Sequence, residues 1–393
     1  MSGIVGFFNV KEKIMNSQEI LMNMNNKLMH RGSDKDGYYI GDNIALGFRT
    51  ILCGDNQPIS FNFEGNTYVI VYDGNIYNLK ELKLELEQYD FCFSTNSDAE
   101  VILKGYIHFR ESFVNKLNGV FAFAIFDQNQ NSLFIARDHF GIKPFYYTII
   151  NNTFVFASEI KALFQFPNVN PKMDSMGICE LIGIGPAHTP GVTVFKDICE
   201  IKPAHYGIYN DGGFHSKSYW KLISKPHTDS LGKTCETIKY LLEDSIKKQL
   251  VSDLPVCSFL SGGLDSSIIS LYAANYYKVN DLKPLDTYSV DYVDNDKNFV
   301  KSDFQPNSDN YYIELMSKRL YSEHHNIVLD TPELADALEA AMIARDVPGM
   351  ADIDSSLLLF CKNVKPKASI ALTGECADEI FAGYPWFFRE DAL

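Results

Sequence analysis

Val256-Cys257-Ser258-Phe259-Leu260-Ser261-Gly262-Gly263-Leu264-Asp265-Ser266-Ser267 decides the fold of the second half of the chain. Val256–Leu260 is an apolar run of strand length, and Ile268–Ala274 continues with helical spacing. A glycine pair between them lets the backbone approach a ligand closely. Serine hydroxyls, backbone N–H groups and a helix N-terminus together make a cradle for an anion. Asp265 cannot bind phosphate directly, but it can hold a Mg²⁺ that does. The Walker pattern G-x-x-x-x-G-K-[ST] is absent.

A second acidic loop follows the same logic. Ile370–Leu372 reads as a strand and runs into Thr373-Gly374-Glu375-Cys376-Ala377-Asp378-Glu379. In open α/β sheets ligands sit outside the carboxyl ends of strands, so both loops are expected to face one crevice. Asp265 and Asp378 would then share a Mg²⁺, with Glu375 as a candidate general base. Thr287–Val290 is a further short strand, and the strands alternate with helical segments such as Thr234–Leu250, a parallel α/β pattern.

The first half has a different texture. Phe61–Phe63 and Tyr68–Tyr72, Val120–Phe126 and Ser132–Ala136, and Phe145–Ile150 and Phe154–Ala157 each flank a polar turn, giving sequential antiparallel hairpins. Helices are expected over Ile20–Met29 and from Ser97, where Glu100 three residues on suggests a capping box. Residues 2–210 read as one domain, 211–230 as a linker and 231–393 as a second, incomplete domain.

Composition excludes several classes. The 393 residues are 46% hydrophobic and 22% charged, enough for sizeable cores. A net charge of −15 argues against bulk nucleic-acid or anionic-membrane binding. No apolar run reaches the roughly 18 residues of a membrane span, and the N-terminus lacks signal-peptide character. The eight cysteines form no C-x-x-C pair, which suits a reduced, cytoplasmic protein without structural zinc.

Taken in order, the motifs resemble those of glutamine-dependent asparagine synthetases. They are Gly3-Ile4-Val5-Gly6, His30-Arg31-Gly32-Ser33-Asp34, Gly74-Asn75-Ile76-Tyr77-Asn78, Ser97-Asp98-Ala99-Glu100, Ala136–Pro144, the phosphate loop, Arg345–Met350, and Gly374–Glu379 with Gly383–Trp386. The resemblance implies an N-terminal-nucleophile αββα sandwich hydrolysing glutamine, followed by a parallel-sheet ATP pyrophosphatase domain. The reaction implied is ATP-dependent amidation of aspartate through β-aspartyl-AMP. By the same resemblance Phe259, Leu260 and Val290 line the adenosine pocket, and Ser261, Gly262, Gly263, Asp265, Ser266 and Ser267 hold the phosphates. Thr373 and Gly374 lie near the ribose and phosphate, Arg49 binds the glutamine carboxylate, and Asp98 binds its amino group. Homodimers are common among relatives.

Three departures set expectations against glutamine use. Ser2 stands where the family has its cysteine nucleophile, and a hydroxyl is essentially never ionised at neutral pH. Asp73-Gly74-Asn75 replaces Asn-Gly-Glu. An ionised Asp73 offers acceptors, not donors, to a developing oxyanion, and losing one such donor costs roughly 10²–10³ in kcat. Asn75 lacks the carboxylate that would pair with the substrate ammonium. Ammonia is therefore the expected nitrogen donor. The chain also ends at Leu393, where family members continue into a further helical part. Two other readings stay open: an impaired amidotransferase-like protein that binds nucleotide or glutamine, and a ligase for another carboxylate.

Overall fold

A computed structural model describes residues 2–51, 56–252, 254–301 and 308–390. The chain divides into two compact units. One runs to Lys225 and takes in Asp346–Pro348, and the other holds Pro226–Arg345 and the chain from Gly349.

The first unit contains twelve strands among the described residues: β1 (Ser2–Asn9), β2 (Lys35–Ile40), β3 (Ile44–Thr50), β4 (Ile59–Phe63), β5 (Asn66–Ile76), β6 (Gly119–Asp127), β7 (Ser132–Arg137), β8 (Tyr146–Ile150), β9 (Thr153–Ala157), β10 (Cys199–Glu200), β11 (His205–Asn210) and β12 (Gly213–Ser218). They form two antiparallel sheets, ordered β10-β8-β9-β1-β3-β2 and β12-β11-β7-β6-β5-β4. Each expected hairpin is present. In β4–β5, Glu64 and Gly65 both take positive φ, the backbone of a tight twisted turn.

Three cores stack the layers. Ile4, Phe8, Leu46 and Phe48 meet Val69, Val71 and Ala124 between the sheets. Val5, Phe7 and Ala45 on the outer face of the first sheet pack on helix α1 (Ser17–Asn26). Ile70, Tyr72 and Phe123 on the outer face of the second pack on α2 (Leu79–Glu87) and α3 (Asp98–Phe109). The result is the αββα sandwich.

The stretch expected as a linker, 211–230, is divided. Asp211-Gly212 turns a hairpin, Gly213 follows at φ +92°, and Gly213–Ser218 pairs with His205–Asn210. The Asp-Gly-Gly run marks a turn inside the sheet rather than a boundary, and the next helix starts at Leu231.

The second unit has one parallel sheet of β13 (Val256–Phe259), β14 (Leu285–Tyr292), β15 (Ser322–Leu329) and β16 (Ile370–Leu372), ordered β15-β14-β13-β16. The chain steps outward from β13 to β15, then returns to the other side of β13 for β16. The order therefore reverses between β13 and β16, a topological switch point. None of the described helices is long and apolar enough to cross a membrane. The seven described cysteines are unpaired, and Cys53 lies outside the described residues.

Candidate functional site

In the first unit Ser2 opens β1, and its register partner is Thr50 at the end of β3. The two hydroxyls are 3.3 Å apart. The Ser2 carbonyl accepts from Arg31 Nε at 2.9 Å. The same guanidinium donates to Asp73 Oδ2 at 3.0 Å and to Glu159 Oε1 at 3.2 Å.

Asp73 is buried, and its other oxygen lies 3.2 Å from Lys143 Nζ. The carboxylate is thus held between two cations. Lys143 is delivered by the loop after β7. There Asp138 accepts the N–H groups of Phe121, Phe140, Ile142 and Lys143 and folds the loop back on itself. Arg137 braces this loop through the carbonyls of Lys143 and Gly141.

Gly74 is required by space, because a Cβ would stand 2.3 Å from the Val120 carbonyl oxygen. Asn75 is exposed. Asp98 sits in the first turn of α3 and accepts from the Tyr72 hydroxyl and the Ile76 N–H, both at 2.8 Å. Burial first, then the Asp98 charge, pushes the Tyr72 phenol well above its usual range, so it stays a neutral donor.

Arg49 is held at α1. Its Nε donates to the Asn25 carbonyl at 2.8 Å and its Nη2 to Asn26 Oδ1 at 2.6 Å, at the end of α1. Side chains alternate along a strand, so Thr50 faces Ser2 while Arg49 faces the helix layer. The structure brings together Ser2, Asp73 and Gly74 through Arg31, but not Arg49. Arg31, Lys143 and Thr50 are the residues that sequence reasoning missed. Only the basic residues inside the quoted His30–Asp34 and Ala136–Pro144 motifs could have signalled the first two.

In the second unit both acidic loops leave the sheet at the switch point. Ser261–Gly263 joins β13 to the helix Leu264–Val279, whose start carries no side-chain cap. Gly262 takes φ +81°, and a Cβ there would press on the Asp309 carbonyl at 3.0 Å. Ser266 Oγ accepts the Ser261 N–H at 3.2 Å and donates to the Gly263 carbonyl at 3.2 Å, so this hydroxyl braces the loop. Ser267 N–H returns to the Gly263 carbonyl.

Gly374, after β16, packs against this helix start. A Cβ on it would lie 2.9 Å from the Ser266 nitrogen and 3.0 Å from Asp265 Cβ. Burial, then the Asp378 charge, raises the Asp265 carboxyl above its ordinary value. No basic side chain pairs with either carboxylate among the described residues. Two carboxylates that feel each other's charge, without a basic partner, are a donor set that fits a divalent ion. Gly383 leaves room for Asp378, since a Cβ there would fall 1.8 Å from Oδ1. Glu375 is exposed and lies near enough to Cys361 and Cys376 to raise both thiols further after burial.

Phe259 and Val290 pack into one cluster with Ile327, at the carboxyl ends of β13 and β14. Leu260 is fully buried on the opposite face with Ile246, Ala273 and Leu285. Its side chain is core. Thr373 is half-buried beside Gly374. Asp286, Glu323 and His325 also gather, but at the beginnings of β14 and β15, and Lys283 Nζ already holds Asp286 at 2.9 Å.

The glutamine amidotransferase domain model matches residues 1–220, and the asparagine synthase model matches residues 237–393. The chain is 42% identical to asparagine synthetase [glutamine-hydrolyzing] 3 of Bacillus subtilis, over 100% of this chain and 64% of the relative. It is 34% identical to asparagine synthetase [glutamine-hydrolyzing] 1 of the same organism, over 98% and 59%. Against asparagine synthetase B [glutamine-hydrolyzing] of Escherichia coli it is 29% identical, over 99% and 66%. The chain spans about three fifths to two thirds of the length of these relatives. It belongs to the family in which a glutamine amidotransferase domain is followed by an asparagine synthase domain.

Proposed function

We propose that the chain carries out asparagine-synthetase chemistry: ATP-dependent amidation of the aspartate β-carboxylate, with ammonia rather than glutamine as nitrogen donor. The observation that carries the ligase reading is the meeting of the Ser261–Ser267 and Gly374–Glu379 loops at the switch point of a parallel sheet. The uncapped helix start offers N–H groups to phosphate, and Phe259 with Val290 offers an apolar wall to adenine. Asp265 and Asp378 would hold a Mg²⁺, which when bound neutralises phosphate charge.

In this reading an aspartate carboxylate oxygen bonds to the α-phosphorus of ATP, and pyrophosphate leaves. The nitrogen of ammonia then bonds to the acyl carbon, and AMP leaves. Glu375, exposed on the second loop, takes the proton that the attacking ammonia loses.

The nitrogen source rests on Asp73. Arg31 and Lys143 bind both of its oxygens, so its side chain offers no donor to a tetrahedral oxyanion. Ser2 in place of a thiol adds to the deficit. Glutamine would be held longer than it is cleaved.

The test supplies MgATP and aspartate with either ammonia or glutamine, and measures pyrophosphate and asparagine. Asparagine with ammonia and little with glutamine is the expected result. Absence of pyrophosphate with every amino-acid carboxylate would refute the ligase reading. Ser2→Cys with Asp73→Asn and Asn75→Glu should restore glutamine hydrolysis. Glutamate release that stays at the starting level would refute this account of the pocket.

A further inference from the structure

Asp286, Glu323 and His325 belong to a small grid on the parallel sheet of the second unit. Asp286 pairs with Glu323, and Tyr288 with His325, across β14 and β15. Register partners, and residues two apart on one strand, point to the same face. All four side chains therefore stand together near the beginnings of the two strands. The nucleotide loops leave the sheet at the opposite, carboxyl end.

His325 Nε2 lies 2.9 Å from Asp286 Oδ1 and 4.0 Å from Glu323 Oε1, and one nitrogen and two oxygens of the three residues fall within 4.8 Å of one another. Bonds of about 2.0–2.1 Å to a tetrahedral ion set its ligand atoms roughly 3.3 Å apart. The observed separations straddle that value. The Glu323 side chain is exposed, so its rotation closes the long edge. Lys283 Nζ holds the other oxygen of Asp286 at 2.9 Å, which leaves Oδ1 to the cluster.

A hydrogen bond alone accounts for the short His325–Asp286 edge, but not for Tyr288. Tyr288 is 2% exposed, and its hydroxyl has no hydrogen-bond partner. Buried hydroxyls are normally paired, so this one calls for a group that the protein itself does not supply. The Tyr288 ring stacks on His325 with centroids 4.7 Å apart, and the charges of Asp286 and Glu323 both reach its hydroxyl. The orphaned oxygen thus belongs to the same cluster as the three ligands.

We propose that Asp286, Glu323 and His325 bind one divalent transition-metal ion of the zinc class, with Tyr288 as hydrogen-bond partner to the water in its open fourth position. An imidazole beside carboxylates selects Zn²⁺ or Co²⁺ over Mg²⁺ and Ca²⁺, which prefer all-oxygen sets. No cysteine takes part. Cys257 pairs with Asp286 on its other side, but burial first, then the Asp286 charge, pushes its thiol up to about 12, so it stays protonated. The ion clips β15, at the edge of the sheet, to β14, and acts on the stability of the second unit rather than on the nucleotide loops. Lys283 competes with it for Asp286.

The test is titration of the whole chain with Co²⁺, read by its visible absorption, in excess Mg²⁺ to fill sites made of oxygen alone. One Co²⁺ per chain should bind, with the bands of a nitrogen and oxygen site and no thiolate charge-transfer band. Glu323→Gln and His325→Gln should each weaken binding by at least about tenfold. Tyr288→Phe should weaken it by about tenfold without lowering the melting temperature of the metal-free chain, because the hydroxyl it removes has no partner there. Lys283→Met should tighten binding by removing the competing cation. The Glu323 and Lys283 side chains are exposed, so their replacement leaves the core intact. No Co²⁺ bound by the unaltered chain, binding that Glu323→Gln or His325→Gln leaves unchanged, or a thiolate band overturns the proposal.

Discussion

Glu100 ties the first turn of α3 to the Ser94–Thr95 loop, and its removal should be read in stability before it is read in activity. Its carboxylate accepts from the N–H and hydroxyl of Ser94 at 3.0 and 3.1 Å and from the Thr95 N–H at 2.8 Å. The Thr95 hydroxyl at 2.5 Å and Lys104 Nζ at 2.6 Å complete the set. Burial alone would raise this carboxyl, but Lys104, Ser94 and Thr95 together pull it from 4.5 to about 2. At about 1.4 kcal/mol per pH unit, that difference corresponds to about 3 kcal/mol. A carboxyl depressed by folding contributes its full stability above its unfolded pKa, near 4.5, and loses it as the pH falls toward 2. Glu100→Gln should therefore lower the unfolding free energy of the first unit by about 3 kcal/mol at neutral pH. The gap to the unaltered chain should begin to shrink below about pH 4.5 and close only near pH 2, where Glu100 becomes protonated in the folded state as well. The assay is guanidinium unfolding followed by Trp220 fluorescence, with Trp386→Phe in both proteins so that only the first unit reports. A gap that stays constant with pH, or no loss at neutral pH, would refute the argument.

Three further outcomes follow from packing. Gly374→Ala drives a methyl into the Ser266 nitrogen and Asp265 Cβ, so pyrophosphate formation should fall by at least about tenfold with first-unit stability unchanged; an unaltered rate would mean the loops do not act together. Arg49→Met removes the bonds to Asn25 and Asn26 and should cost about 1–3 kcal/mol in denaturant unfolding, without changing the calorimetric affinity for glutamine. Gly74→Ala places a methyl 2.3 Å from the Val120 carbonyl and should lower the first unit's stability by about 1–3 kcal/mol or more; a melting temperature equal to that of the unaltered chain would show that β5 and β6 separate freely there.

Much of the fold was legible because local chemistry and global topology agree. Glu64-Gly65 and Asp211-Gly212-Gly213 carry their turns in their composition, although the second was read as a boundary because glycine and aspartate mark both. Ser97 caps α3 as its spacing suggests, accepting from the Glu100 N–H. The Glu100 carboxylate, however, turns to Ser94 and Thr95 instead of closing a reciprocal box. Ile370–Leu372 is a strand of only three residues, yet its bounds were readable because a loop of glycine and acids follows at once.

The facing of Arg49 was not legible, and the reason is physical. All seven residues of β3 and seven of the eight in β1 are buried, because the first sheet is covered on both faces. A strand buried on both sides shows no polar and apolar alternation, so no periodicity told which side chains meet Ser2. The same limit hid Leu260, one residue from Phe259 but on the opposite face. Asp73 shows a second limit. Its identity fixes that it accepts and cannot donate, but what it does depends on Arg31, 42 positions away, and on Lys143, which reaches it only because Asp138 gathers four N–H groups into a folded loop. A single Asn-to-Asp difference from the family pattern would leave an uncompensated buried charge if those cations were absent. With both in place the carboxylate is tolerated inside the fold, so this pocket keeps its architecture while losing a donor. Retained architecture with altered chemistry is why binding and cleavage of glutamine must be measured separately.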